Sequence, residues 1–104
     1  MKLITKTLED RFAEIGDQSE ILDPVIIAKF FNPCGSQTWY ASEYDKENQI
    51  CFGYVTGMAF DEWGTFSIQE LESLKLPLGL KIERDLYFKE AQFKELIKEQ
   101  HLDF

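Results

Sequence analysis

Hydrophobic positions recur along this chain with two different periods, and the changes of period mark its elements. Between residues 5 and 15, Leu8, Phe12 and Ile15 return at helical spacing, Thr5 is a residue type that caps helix N-termini, and Gly16 suits the stop. The spacing predicts a helix over 5–15, followed by a polar loop from Asp17 to Asp23 that Pro24 closes. Val25 to Phe31 is rich in β-formers, with Lys29 interrupting it, and reads as a strand. Asn32-Pro33-Cys34-Gly35-Ser36 reads as a turn. Thr38–Tyr44 and Ile50–Thr56 read as two further strands joined by a hairpin loop, Asp45 to Gln49, with Gly53 a candidate bulge position. Connections this short leave no room for crossovers, so the three strands are expected to form an antiparallel meander.

Gly57 to Trp63 reads as a connection and Gly64-Thr65-Phe66 as a short fourth strand. Ser67 followed three residues later by Glu70 has the form of a capping box and starts a short helix to about Leu74, which Pro77 and Gly79 end. Leu80 to Asp85 fits a short strand or an extended loop equally. Phe88 to Gln100 reads as a helix with Phe93, Leu96 and Ile97 on one stripe. The expected architecture is α+β in a single domain spanning 1–104. It is a small antiparallel sheet of three to four strands, five if Leu80–Asp85 joins, with an N-terminal, a short middle and a C-terminal helix covering one face.

Composition changes this picture only in what it excludes. Of 104 residues, 44% are hydrophobic and 14% aromatic, which supports a packed core and argues against disorder. No apolar run approaches the roughly 20 residues of a membrane span. The opening Met1-Lys2-Leu3-Ile4-Thr5-Lys6 turns acidic at Glu9 and Asp10, so no secretory signal is expected and the cytoplasm is the expected compartment. Cys34 and Cys51 are two ligands short of a zinc site and read as free, partly buried thiols. The single His101 pairs with neither. Net charge is −8, spread evenly: residues 1–52 carry 5 basic against 9 acidic side chains, and residues 53–104 carry 6 against 10. Direct nucleic-acid binding needs clustered Lys and Arg and is not expected. An acidic surface suits a basic protein partner, including one that normally holds nucleic acid.

Several residue groups are candidates for chemistry. Glu43 and Asp45 are two apart on a predicted strand and point to one side, where two carboxylates are able to hold a divalent metal or move a proton; a solvated strand end is the plainer alternative. In Glu83-Arg84-Asp85 the acids share a side and Arg84 faces the other way. Arg84 suits a phosphate or a partner's carboxylate, or else an internal ion pair with Glu43 or Asp45 that anchors the segment. Trp39, Tyr40, Tyr44, Phe52 and Tyr54 sit on the central strands, either packing the core or exposed for contact. Trp63, in Asp61-Glu62-Trp63-Gly64, reads as a loop contact residue beside two acids or a lid on the core. A nucleophilic Cys34 would need a base that the sequence does not place beside it. No phosphate-cradling loop, hydrolase elbow or zinc signature is present, so neither cofactor nor metal is expected.

Several stretches together resemble a family of short proteins of unknown function found on plasmids, phages and integrated elements of bacteria. They are Lys2-Leu3-Ile4-Thr5-Lys6, Asp23-Pro24-Val25-Ile26-Ile27-Ala28-Lys29-Phe30-Phe31-Asn32-Pro33, Gly35-Ser36-Gln37-Thr38-Trp39-Tyr40-Ala41-Ser42-Glu43-Tyr44-Asp45 and Phe52-Gly53-Tyr54-Val55, followed by Gly64-Thr65-Phe66-Ser67-Ile68-Gln69-Glu70-Leu71 and Pro77-Leu78-Gly79-Leu80-Lys81-Ile82-Glu83-Arg84-Asp85. The set covers most of the chain up to Phe88. That family supplies no catalytic residues. The pattern is also similar to that of small phage- or metagenome-derived anti-CRISPR proteins. That likeness implies a non-enzymatic inhibitor, acting in the cytoplasm of a bacterial host, that blocks an RNA-guided DNA-cleaving nuclease of the type II-A class, whose nucleic-acid channel is strongly basic. Candidate partner-binding residues are then Trp39, Glu43, Asp45, Asp61, Glu62, Trp63, Glu83, Arg84 and Asp85. The chain is expected to be a monomer or a weak homodimer. Two alternatives stay open: an accessory protein-binding module of a mobile element, and a metal-dependent enzyme using Glu43 and Asp45 with Glu83 and Asp85.

Overall fold

A computed structural model describes the backbone of residues 1–102 and the side chains as far as Lys98. Helix α1 runs Lys6–Ile15. Thr5 caps it, its hydroxyl oxygen accepting from the Leu8 N–H at 3.2 Å, and the Gly16 N–H returns to the Phe12 carbonyl at 2.9 Å. Phe12 is the helix's buried residue, with Leu8 and Ile15 packed beside it.

Five strands form one antiparallel sheet. They are β2 (Ala28–Phe31), β3 (Thr38–Asp45), β4 (Ile50–Thr56), β5 (Glu62–Ser67) and β6 (Glu83–Arg84), in the order β5-β4-β3-β2-β6. A separate two-stranded ribbon pairs β1 (Val25–Ile26) with β7 (Ala91–Gln92). The expected single strand over 25–31 is therefore broken. At Ile27 the chain leaves the ribbon and enters the sheet, with the Ile27 N–H donating to the Ala41 carbonyl at 2.8 Å. The fourth strand is longer than expected and includes Trp63, which is not in a loop. Leu80–Asp85 does join the sheet, through Glu83 and Arg84 paired with Phe31 and Phe30.

Helix α2 spans Ile68–Ser73, and the Ser67 hydroxyl oxygen accepts from the Glu70 N–H at 3.1 Å, so the Ser67 half of the predicted box forms. A single 3-10 turn follows at Pro77–Gly79. Helix α3 begins at Phe93, not Phe88, because Ala91 and Gln92 are drawn into the ribbon; it runs to Leu102. The Asp23 carboxylate accepts from the Lys94 N–H at 2.8 Å, satisfying one of the donors that a helix start leaves open.

One sheet face carries Ala28, Phe30, Trp39, Ala41 and Cys51 and packs against Phe12 of α1, Ile68 and Leu71 of α2, and the N-terminal Leu3 and Ile4. Phe30 is fully buried, a burial that stabilises by roughly 2–3 kcal/mol. The N-terminus is held on both sides. The Leu3 N–H donates to the Glu72 carboxylate at 2.8 Å, and Arg84 Nη1 donates to the Lys2 and Leu3 carbonyls at 2.9 and 3.0 Å. The helices do not all cover this face as expected: Phe93 of α3 packs on the other one, against Tyr54 and Trp63.

Two glycines are required by close approach. A Cβ at Gly53 would overlap the Tyr40 carbonyl oxygen across the β3–β4 ladder, and one at Gly57 would overlap the Ser36 carbonyl oxygen. Gly57 also lies at φ 84°. Gly57→Ala is expected to lower stability by about 2 kcal/mol or more, read as a lower urea midpoint with an unchanged slope. An unchanged midpoint would mean the Ser36 turn yields freely.

Candidate functional site

The surface opposite the core is built by an irregularity in β3. Ala41 pairs with Gly53, but the next pair is Glu43 with Phe52, so Ser42 is one residue in excess. The sequence-based expectation of a bulge at Gly53 has the right place and the wrong strand. Ser42 is buried, and its hydroxyl donates to the Phe52 carbonyl at 3.1 Å. Buried Gln18 completes the arrangement. Its side-chain amide donates to the carbonyls of Ser42 and Val25 at 2.7 and 2.9 Å, and its side-chain oxygen accepts from the Val25 N–H at 2.7 Å.

The surplus residue shifts the alternation, so Glu43 lies on the same face as Tyr40, Phe52 and Tyr54. Four rings form a cluster on that face. Phe52 stacks on Trp63 at 5.7 Å with planes 15° apart, Tyr54 meets Trp63 edge-on at 5.4 Å, and Phe93 lies 4.7 Å from Trp63 and 4.8 Å from Tyr54. Glu43 and Phe52 stand side by side and divide two hollows. One, of about 450 Å³, lies toward Phe12, Asp17, Asp45 and Ile50. The other, of about 410 Å³, lies toward Ile21, Leu22, Trp63 and Phe93. A third, of about 570 Å³, runs along β5 and α2 beneath Met58 and Phe60.

Glu43 has a neighbour that the sequence did not suggest. Burial holds its carboxyl above the ordinary carboxylate value, the nearby Asp17 charge raises it further, and a Gln18 backbone hydrogen bond opposes both. Asp17 is shifted the other way, chiefly by the Ser19 N–H, which donates to it at 2.8 Å. Asp45 does not join this pair. Its carboxylate closes the β3–β4 turn, accepting from the Asn48 side chain at 2.8 Å and from the N–H groups of Glu47 and Asn48, contacts that lower its pKa.

The other predicted residues fall in separate places. Trp39 is 4% exposed and belongs to the core. Asp61 and Glu62 sit at the opposite end of the sheet from Asp45, and the Asp61 carboxylate accepts from the Gly57 N–H at 3.3 Å. Glu83 and Asp85 lie beyond the β2 edge, with Asp85 3.5 Å from Lys29. Arg84 anchors the chain as one alternative had it, but to backbone carbonyls of the N-terminus and not to Glu43 or Asp45. The four carboxylates that a metal-dependent enzyme would need do not converge. Among the described residues no three His, Cys, Asp or Glu side chains come together as a metal-binding group. Cys34 is exposed, Cys51 is buried with its thiol pKa pushed far up by that burial, and the His101 side chain lies outside the described part.

The residues missed by sequence reading are Asp17, Ile21, Leu22 and Phe93. The bulge, the 17–24 loop and the β1–β7 ribbon bring them beside Glu43 and Phe52; the loop and the place of the bulge are readable locally, but the contacts they create are not.

A family described as "Protein of unknown function (DUF2958)" matches residues 3–97, and the chain belongs to that family. No curated protein and no solved structure matches it. Among the described residues no helix is long and apolar enough to cross a membrane.

Two predictions follow from this chemistry. A carboxyl whose folded-state pKa lies above its unfolded value of about 4.3 binds more protons when folded, so stability falls as pH rises through that interval. Glu43→Gln is therefore expected to raise the urea midpoint at pH 7 and to lose that advantage near pH 4; equal differences at both would show that Glu43 is not strained by its charge. Separately, iodoacetamide is expected to modify Cys34 alone in the native protein and Cys51 only after unfolding, as mass spectrometry of the labelled peptides would read. Equal labelling of both would contradict the burial of Cys51.

Proposed function

We propose that this member of the family is a stoichiometric binding protein of a mobile element, acting in the cytoplasm of a bacterial host by blocking a type II-A CRISPR effector nuclease. The observation that carries the binding reading is the pairing of exposed large apolar side chains with carboxylates that have no ion-pair partner among the described residues. Phe60 and Met58 stand beside Asp61 and Glu62, and Ile21 and Leu22 stand near Asp17 and Glu43. The ion pairs that do form lie elsewhere, at Lys6, Arg11, Lys29 and Lys46.

A basic protein surface complements such a face twice. Its charges meet the carboxylates, and its stems and apolar residues meet the exposed side chains. The nucleic-acid channel of an RNA-guided nuclease is basic along its length, so an acidic domain competes there with the nucleic-acid backbone. The choice of this target rests on the anti-CRISPR resemblance of the sequence. Binding in place of nucleic acid needs no turnover, and no catalytic residue is assigned. Exposed Leu78 and Tyr87, 96% and 93% accessible, favour protein contact in general and support a second reading, an accessory module that binds another product of the same element.

The test is cleavage of target DNA by a guide-loaded type II-A nuclease with this protein titrated in at low and moderate salt. Inhibition is expected near equimolar protein and is expected to weaken as salt rises, because the attraction between exposed charges is screened. Full cleavage at large molar excess would reject the nuclease as target.

A further inference from the structure

The two edges of the sheet are unequal. On one side β6 pairs only two residues, Glu83 and Arg84. On the other, β5 presents six residues with no strand beyond it among the described residues. The phase of its ladder is fixed by the Ile68 N–H, which donates to the Gln49 carbonyl at 2.9 Å. Residues 49 and 68 continue the β4–β5 register, so Glu62, Gly64 and Phe66 exchange bonds with β4, and the N–H and C=O groups of Trp63 and Thr65 point outward. No backbone hydrogen bond to these outward groups occurs among the described residues. The usual protections of a long edge are missing: β5 has no proline, no bulge and no lysine, and its one charge, Glu62, is at its end.

The 570 Å³ hollow follows this edge for its whole length. A Cβ at Gly64 would meet nothing within 4 Å, so the sheet surface there is open. Phe60 and Met58 overhang the hollow from the β4–β5 turn, 75% and 53% exposed, and Leu71 of α2 and Leu74 just after it form its far wall. Glu62 and Glu70 line it with no ion-pair partner among the described residues.

We propose that the β5 edge is a docking site for an extended segment of a protein partner, which adds a sixth antiparallel strand. Its residue opposite Gly64 places an apolar side chain in the hollow, and basic side chains two positions to either side, on the same face, meet Glu62 and Glu70. The main-chain bonds to Trp63 and Thr65 provide affinity that does not depend on sequence, and the hollow provides the selectivity. Charge complementarity decides the sign of the occupant: the hollow's ionisable residues, Glu62 and Glu70, are both acidic. The site rests on the reading of the protein as a binder of a basic partner and names where that partner is held.

The experiment is a titration of the isotope-labelled full chain with a short synthetic peptide in which a central valine has lysine two positions to either side and threonine between, followed by amide chemical shifts and hydrogen exchange. Shifts confined to β5, α2 and the 57–61 turn are expected, with slowed exchange at the Trp63 and Thr65 amides. The same peptide with alternate backbone nitrogens methylated, unable to donate to the edge, is expected to bind about tenfold more weakly or worse. The peptide with glutamate in place of lysine is expected not to bind. Gly64→Val, which fills the hollow at an open edge position, is expected to leave the urea midpoint unchanged or raised and to weaken the lysine–valine peptide by about tenfold. Absence of binding, shifts on other elements, equal binding of the methylated peptide, or Trp63 and Thr65 amides already protected in a concentration-dependent way by a second copy would each overturn the proposal. Nuclease inhibition with an undisturbed β5 would overturn only the docking mode, whereas peptide binding at β5 without inhibition would support the site and reject the nuclease as target.

Discussion

Ser42 is one residue too many for the β3–β4 ladder, and the surroundings absorb the surplus with hydrogen bonds rather than strain. A bulge leaves backbone groups without their ladder partners, and a buried unpaired carbonyl costs about 1–3 kcal/mol. Here the Ala41 carbonyl is taken by the Ile27 N–H and the Ser42 carbonyl by the Gln18 side chain. Both acceptors are therefore satisfied by the segment between α1 and β2. The same Gln18 side chain also bonds both backbone groups of Val25 at the start of the ribbon. The loop, the ribbon and the sheet surface are thus one hydrogen-bonded unit, and what happens at Glu43 depends on it.

The bulge also explains why the two sheet faces differ in character. Upstream of it, Trp39 and Ala41 point into the core; downstream, Tyr44 does, and its ring lies 5.7 Å from Phe12. Were Ser42 instead paired in a regular ladder, the alternation would place Glu43 in the core against Phe12 and would expose Tyr44, an exchange that costs the desolvation of a carboxylate. The bulge lets one strand keep its apolar side inward along its whole length while it passes from the sheet centre to the turn. The carboxyl it delivers to the other face is only half solvated and close to Asp17, which is the origin of its raised pKa.

Much of the fold was legible because its causes are local. The Thr5 cap, the Ser67 cap, the hairpin between β3 and β4 and the helical spacing of Leu8, Phe12 and Ile15 all act within a few residues, and all occur as read. The errors concern partners distant in sequence. Ala91 and Gln92 carry no strand signal of their own and become a strand because Val25 and Ile26 are unpaired without them. That pairing shortens α3 at its start and turns Phe93 onto the far face, where it closes the ring cluster around Trp63. The candidate site was legible only in part for the same reason. Glu43 stood out as a carboxylate on a strand, but Asp17 and Phe52 become its neighbours through a bulge and a loop whose determinants lie 24 residues apart, at Gln18 and Ser42.

Net charge is likewise a poor guide to the surface until each carboxylate is followed to its contact. Glu72 takes the Leu3 N–H, Asp23 the start of α3, Asp45 the β3–β4 turn, and Glu90 holds the Arg11 guanidinium through both oxygens. These acids complete the fold, and a basic partner would have to compete with the protein's own backbone for them. Glu43 is partly committed too, since a Gln18 backbone hydrogen bond already opposes its proton. Glu62 and Glu70 are different: neither side chain accepts a hydrogen bond or forms an ion pair among the described residues, and both line an apolar hollow at an open strand edge. Desolvating a committed carboxylate breaks an existing bond, whereas a free one pairs with an incoming cation at no such loss, and Glu62 and Glu70 are two free carboxylates that line the apolar hollow beside the β5 edge.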